Sequence, residues 1–192
     1  MSDSLIEKNL LRLGLELPKA AAPVANYVPV VISGNCAYVA GQIPISNGEI
    51  KFSGKVGKDL TIEQGQQAAR LCGLNMVAQL KLALAGKLNR VVRCLKLGVF
   101  VQCPDGFADQ PKVANGVSDL MVAMLGDAGK HARSAVGVNA LPLNVAVEVD
   151  GFEVSDAEGQ HQGAGQPAKQ AVERHCIERS GERWRLLRNQ RP

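Results

Sequence analysis

HARSAVGVNALPLNVAVEVD, residues 131–150, reads as two strands joined at a Leu-Pro turn. The first, Ala132 to Val138, alternates Arg133, Ala135 and Gly137 against Ser134, Val136 and Val138. The second, Asn144 to Val149, alternates three valines against Asn144, Ala146 and Glu148. A period of two is what a sheet with one buried face requires. The valine faces are expected to pack, which leaves Arg133 and Glu148 on the opposite faces with small residues around them. Such charges on an apolar strand pair point to water, a neighbouring subunit or a ligand. The plain structural reading is a cross-strand Arg133–Glu148 ion pair on a solvated face, worth little. The functional reading makes Arg133 a planar fork for a small carboxylate and Glu148 the group that holds a water or shuttles a proton.

Outward from this stretch, helices and strands alternate. Ser4 and Glu7 form a capping-box pattern ahead of a short helix whose sticky face is Leu5, Ile6, Leu10 and Leu13, stopped by Gly14 and Pro18. A small-residue arm follows, and Tyr27 stands at its end. Val28–Ser33 and Ala37–Ala40 read as a hairpin around Gly34-Asn35, with Tyr38 read as core. Gly41 comes at the strand end, where a missing side chain lets a ligand or backbone approach; an exit turn is the alternative. Thr61 and Gln64 open a long helix that ends at Gly86, and its internal Gly65 and Gly73 suggest tight contact against a sheet, with local bending the equal alternative. Val91–Val101 is a strand with Leu95, Leu97, Val99 and Val101 on one face. Asp109 and Pro111 open the second long helix, up to Gly126. Two long helices against one face of a mixed sheet give an α+β, two-layer sandwich, and the other face needs a partner.

Composition narrows the function classes. Of 22 basic and 18 acidic residues, 7 and 4 fall in residues 157–192, so the first 156 residues are nearly neutral. With 4% aromatic residues there is no base-stacking platform, which argues against nucleic acid. The five cysteines show no CxxC pair and no metal-ligand spacing with the three histidines, so buried thiols in a reducing compartment, with the cytoplasm as default, are expected. No apolar run reaches membrane-span length, and no metal is expected. Residues 1–154 read as one domain with a short N-terminal helix, and 155–192 as a polar, basic extension. Its Gly, Gln and Ala content at 156–169 is that of a flexible linker, and 168–188 reads as a marginal helix or a disordered tail. Docking, or contact with RNA or a membrane, is the weaker reading of that tail.

Taken in order, Tyr27, SGNCAYVAGQIP at 33–44, DGFADQPKVAN at 105–115 and HARSAVGVNALPLNVAVEV at 131–149 resemble the YjgF/YER057c/UK114, or RidA-like, family over about residues 1–154. The N-terminal LIEKNLLRLGLELP resembles one divergent subgroup of it. The resemblance implies a chorismate-mutase-like fold assembled as a homotrimer, with sheets lining a central barrel and sites in clefts between subunits. It implies hydrolysis of reactive 2-enamine or 2-imine acids to 2-keto acids and ammonia, with no cofactor; other members are described as ribonucleases or translation inhibitors. Residue by residue, it implies that Arg133 clamps the substrate carboxylate and that Glu148 positions the attacking water. Tyr27, Gly41 and Asn115 would line the pocket, and Ala135 stands where the family often has a cysteine. His131 and Gly137 also depart from the family pattern. The alternatives are a non-enzymatic binder of small 2-keto acids, a structural or interaction protein, and, less favoured, an endoribonuclease or translation inhibitor.

Overall fold

The computed structural model describes residues 4–22, 26–155, 177–180 and 183–186. The chain divides into two compact units, residues 1–159 and 160–192. In the first, α1 (Leu5–Arg12) precedes β1 (Val30–Ser33), β2 (Cys36–Gln42) and a two-residue ribbon of β3 (Ile45–Ser46) and β4 (Glu49–Ile50). Then come α2 (Ile62–Ala83), β5 (Val91–Gln102), α3 (Gln110–Leu125), β6 (Ala132–Val138) and β7 (Val147–Ser155). The five long strands form one mixed sheet in the order β1-β2-β7-β5-β6. Only the β5–β6 pair is parallel, as a strand pair connected through a helix can be.

The capping boxes form as the sequence predicts. Ser4 Oγ accepts from the Glu7 backbone N–H at 3.1 Å, and Thr61 Oγ1 accepts from that of Gln64 at 3.2 Å. Asp109 differs: its side chain makes no cap hydrogen bond and instead meets Lys112 Nζ at 2.9 Å. The sticky face of α1 is narrower than the sequence suggests, because Ile6 and Leu10 are buried while Leu5 and Leu13 are exposed. The helix is held by Asn9 Nδ2 donating to the Met124 carbonyl at 2.9 Å and by Glu7 against Lys81 at 2.8 Å.

Both long helices lie on one face of the sheet. Leu97, Val99, Val101, Val147 and Val149 from the strands and Cys72, Met76, Leu80, Val117, Leu120 and Met124 from the helices close the core between them. Leu95 does not belong to this face. A bulge between Cys94 and Lys96 inverts the alternation, burying Cys94 and leaving Leu95 exposed. Cys72, Cys94 and Cys103 are buried and Cys36 is only half-buried, and among the described residues none of the four is in a disulfide. Burial pushes the Cys72 thiol well up.

The helix glycines serve a helix–helix contact and not the sheet contact the sequence suggests. A Cβ at Gly73 would come within 2.9 Å of Val117 and 3.0 Å of Leu120, both on α3. At Gly65 it would reach 3.1 Å from Val113, also on α3. The approach is tightest at Gly116, where a Cβ would overlap the Gln66 backbone carbonyl. One residue further along α2 from that glycine's neighbour Gly65, the Gln66 side chain donates back to the Lys112 carbonyl at 2.9 Å.

The strand pair read from residues 131–150 is not a hairpin. β5 sits between β6 and β7, and the chain jumps over it. The crossing is made by a short turn, Pro142–Asn144, with Leu143 at φ 57° and Asn144 at φ 56°. The buried Gln102 amide brackets this turn, donating to Asn144 Oδ1 and accepting from the Leu141 N–H, both at 2.7 Å.

In the second unit the described residues form an antiparallel pair, β8 (Ile177–Ser180) with β9 (Arg183–Leu186); the rest of the 168–188 span, read as a marginal helix or disordered tail, lies outside the described residues. Its register sets Ile177 opposite Leu186 and Arg179 opposite Trp184. Two alternating runs separated by Gly181-Glu182 carry a two-residue hairpin signal. The linker expected at 156–169 lies outside the described residues, as does Cys176. Among the described residues, no helix is long and apolar enough to cross a membrane.

Replacing Gly116 by alanine should destabilise the fold by about 2 kcal/mol, because overpacking against a backbone carbonyl outweighs the ~1 kcal/mol an alanine gains in an open helix. Urea unfolding at fixed protein concentration measures it.

Candidate functional site

The parallel β5–β6 register fixes where Arg133 points. Leu97 lies opposite Arg133 and Val99 opposite Ala135, and Leu97 and Val99 are core residues. Arg133 therefore shares the helix face of the sheet, at its edge, under α3. The valine face of β6 turns outward, and Val136 is 45% exposed. This inverts the expectation that the β6 valines pack. The reason is that an edge strand places its helix-side residues against the end of the α3 layer, where a long side chain with a polar head fits.

There α3 holds the guanidinium. Arg133 Nη1 donates to Asn115 Oδ1 and to Ser118 Oγ, both at 2.9 Å, and Nη2 donates to the Pro111 carbonyl at 3.3 Å. Residues 111, 115 and 118 are spaced by four and three, so they share one helix face. Three of the five N–H groups of the guanidinium are thus committed. Among the described residues none of its partners is a carboxylate. Ala135 follows on the same face, partly buried against the core, and leaves no thiol beside the fork.

Glu148 sits elsewhere. It lies opposite Phe100 on β5, on the outer face of the sheet, while its neighbours Val147 and Val149 enter the core. Arg133 and Glu148 are separated by β5, about 10 Å across two strand spacings, and point to opposite faces. An ion pair between them within one chain is excluded by this geometry. Asp150 follows on the outer face opposite Gly98, where a Cβ would collide with its carboxylate. Burial, with the Asp150 charge second, raises the Glu148 carboxyl above the ordinary carboxylate value.

Gly41 belongs to this second cluster. A bulge in β2 inserts one residue between Val39, opposite Gly151, and Gln42, opposite Val149. It brings Gly41 so close to Glu148 that any Cβ would overlap the carboxylate. The Gln42 amide secures the bulge by donating to the carbonyls of Ala40 at 3.0 Å and Gly41 at 3.2 Å. Tyr27 lies in a bend before β1, about half exposed. Tyr38, expected in the core, is 44% exposed, paired in register with Val31, itself 50% exposed.

The structure thus brings Asn115 and Ala135 to Arg133, and Gly41 to Glu148, as two separate clusters. Sequence reasoning missed Ser118 and saw His131 only as a departure from a pattern. Ser118 Oγ lies 3.1 Å from His131 Nε2, and His131 Nδ1 lies 2.6 Å from the Gly129 carbonyl. The available signal was the pairing of two spacings: polar residues three apart on α3, and two apart at the start of β6.

Residues 7–153 match the family described as "YjgF/chorismate_mutase-like, putative endoribonuclease". The chain is 49% identical over 146 residues to Protein TCP17 of Trypanosoma cruzi, covering 76% of this chain and 91% of that protein. It is similar to the crystal structure of Atu1372 from Agrobacterium tumefaciens, a protein of unknown function, with 45% identity and a TM-score of 0.75, over 79% of this chain and 93% of that one. A crystal structure from Shewanella oneidensis MR-1, described as a "putative endoribonuclease", is similar at 35% identity and a TM-score of 0.75, over 79% of this chain and 99% of that one. The sequence match and the sheet with its two helices on one face agree, and the chain belongs to the YjgF/chorismate-mutase-like family.

Proposed function

We propose that the protein hydrolyses 2-imino acids, the tautomers of 2-enamino acids, to 2-keto acids and ammonia. The observation that carries this reading is the Arg133 fork: anchored by α3 at three points, paired with no carboxylate among the described residues, and left with two N–H groups to offer. Two parallel N–H groups fit a carboxylate with geometric specificity.

The step itself is simple. The oxygen of water bonds to the imine carbon while one of its protons passes to nitrogen, giving a carbinolamine; the remaining hydroxyl proton then moves to nitrogen as the C=O bond forms and the C–N bond breaks, releasing ammonia and the keto acid. Glu148, with its raised carboxyl, is suited to take the water's proton and return it to nitrogen. No metal or organic cofactor enters the balance.

Because Arg133 and Glu148 lie on opposite faces of one chain, the reading needs a second copy to bring them to one ligand. The outer face suits a partner, since Val31, Tyr38 and Val136 stand uncovered beside Glu148 and Asp150. A homotrimer, with Arg133 of one subunit and Glu148 of the next at each cleft, satisfies this requirement with closed symmetry. A ribonuclease would need several phosphate contacts in place of one arginine.

Ammonia release from freshly generated 2-aminoacrylate tests the reading. R133A should lower kcat/KM on the order of 100-fold, the loss of two charge-assisted hydrogen bonds. E148A should lower kcat at least as much while leaving pyruvate binding intact. Rates equal to buffer for the wild-type assembly would refute hydrolysis, and pyruvate binding that survives R133A would refute the clamp. A mass measurement in solution checks the trimer.

The Glu148 carboxyl also sets a pH dependence. Raised in the folded chain, it binds more protons folded than unfolded, so stability declines as pH climbs from the ordinary carboxylate range through the Glu148 titration. E148Q should flatten that decline, raising the melting temperature relative to wild type at neutral pH but not near about pH 4.

A further inference from the structure

The Arg133 anchor continues into a chain of hydrogen bonds that ends on the backbone. His131 Nδ1 lies 2.6 Å from the Gly129 carbonyl oxygen, which can only accept, so Nδ1 carries the hydrogen. In the neutral ring Nε2 is then an acceptor, and the Ser118 hydroxyl 3.1 Å away must donate to it. This fixes the polarity of Ser118: its hydrogen faces the ring, and its lone pairs are left for Arg133 Nη1 at 2.9 Å. With the opposite tautomer, Nε2–H would donate to Ser118 and free its hydroxyl hydrogen to turn toward Nη1, donor against donor. A serine beside a histidine also suggests a nucleophile and its base. Here, however, the hydroxyl hydrogen and a lone pair are both committed, and the lone pair holds a guanidinium.

We infer that His131 is a positioning residue for the Arg133 fork, its Nδ1–H imidazole locking Ser118 as the acceptor that holds Nη1. The inference deepens the carboxylate-clamp reading and rests on it. The ring never touches the ligand. It acts through one hydroxyl, which makes its effect separable from general destabilisation.

The test is a double-mutant cycle on pyruvate binding by the full-length protein, followed by titration calorimetry. H131L and S118A should each raise Kd about tenfold, the loss of one hydrogen bond to a charged group. In the S118A background H131L should add less than about twofold, because both act through the same oxygen. H131N, which keeps a donor for Gly129 but offers Ser118 no acceptor, should behave as H131L and serves if leucine impairs folding. Nitrogen NMR of the wild-type histidine, read on the neutral ring, should show the Nδ1–H form. R133A should abolish binding; if it does not, the clamp reading and this inference fail together. If R133A abolishes binding but the His131 and Ser118 variants bind as wild type, or their effects simply add, the positioning role is overturned and the clamp survives. A wild-type Nε2–H tautomer overturns it as well.

Discussion

The position of β5 decides the geometry of everything around it. It is flanked by β6 in parallel on one side and by β7 antiparallel on the other. A parallel neighbour needs a crossover, and α3 supplies it. An antiparallel neighbour reached from β6 needs a jump across β5, which the Pro142–Asn144 turn and the Gln102 amide provide. Pairing partners across a sheet face the same way, so once the register is set, Arg133 must join Leu97 on the helix side and Glu148 must join Phe100 on the outer side. A chain built this way presents a guanidinium at its rim and a carboxyl on its open face. One subunit alone cannot direct both at the same small molecule.

The two clusters are also unlike in their electrostatics. Around Arg133 the partners are neutral acceptors, two side-chain oxygens and a carbonyl, which orient the guanidinium without neutralising it. A carboxylate in their place would have neutralised its charge. Around Glu148 the situation is reversed: Asp150 is another acid on the same face, and the strand partners are Phe100 and, through the bulge, Gly41. Burial first and the Asp150 charge second disfavour the ionised form, so the proton is retained to higher pH. Gly41 and Gly98 are glycines for the same reason, each vacating the space one of these carboxylates fills.

Much of this was legible in the sequence, for reasons that can be named. The capping boxes at Ser4 and Thr61 depend on residues three apart and form as read. The two long helices and the mixed sheet followed from periodicity. What depends on which strand lies beside which was not legible. Residues 131–150 looked like adjacent arms because they are adjacent in sequence, and their alternation is the same whether or not β5 intervenes. The outward turn of Val136, the bulge that exposes Leu95 and the helix-facing glycines of α2 are consequences of tertiary neighbours that no local pattern encodes. Arg133, Glu148 and Gly41 stood out from the strand pattern and Asn115 came from the family resemblance, and the structure groups them into two clusters. Ser118 was missed because its three-residue spacing from Asn115 gains meaning only once β6 sets His131 and Arg133, two apart, beside α3.

The Arg133 cluster has one more property, which lies in its place along the chain. Pro111, Asn115, Ser118, Gly129, His131 and Arg133 belong to a single run that contains α3 and the start of β6. Glu148 and Gly41, by contrast, meet only through the pairing of β2 with β7, across more than half the length of the domain. The half that holds the guanidinium is therefore an inheritable cassette. A change within that one run of codons can alter the setting of the fork while leaving the acid's undisturbed, and an insertion elsewhere in the sheet can retune the acid without touching the fork.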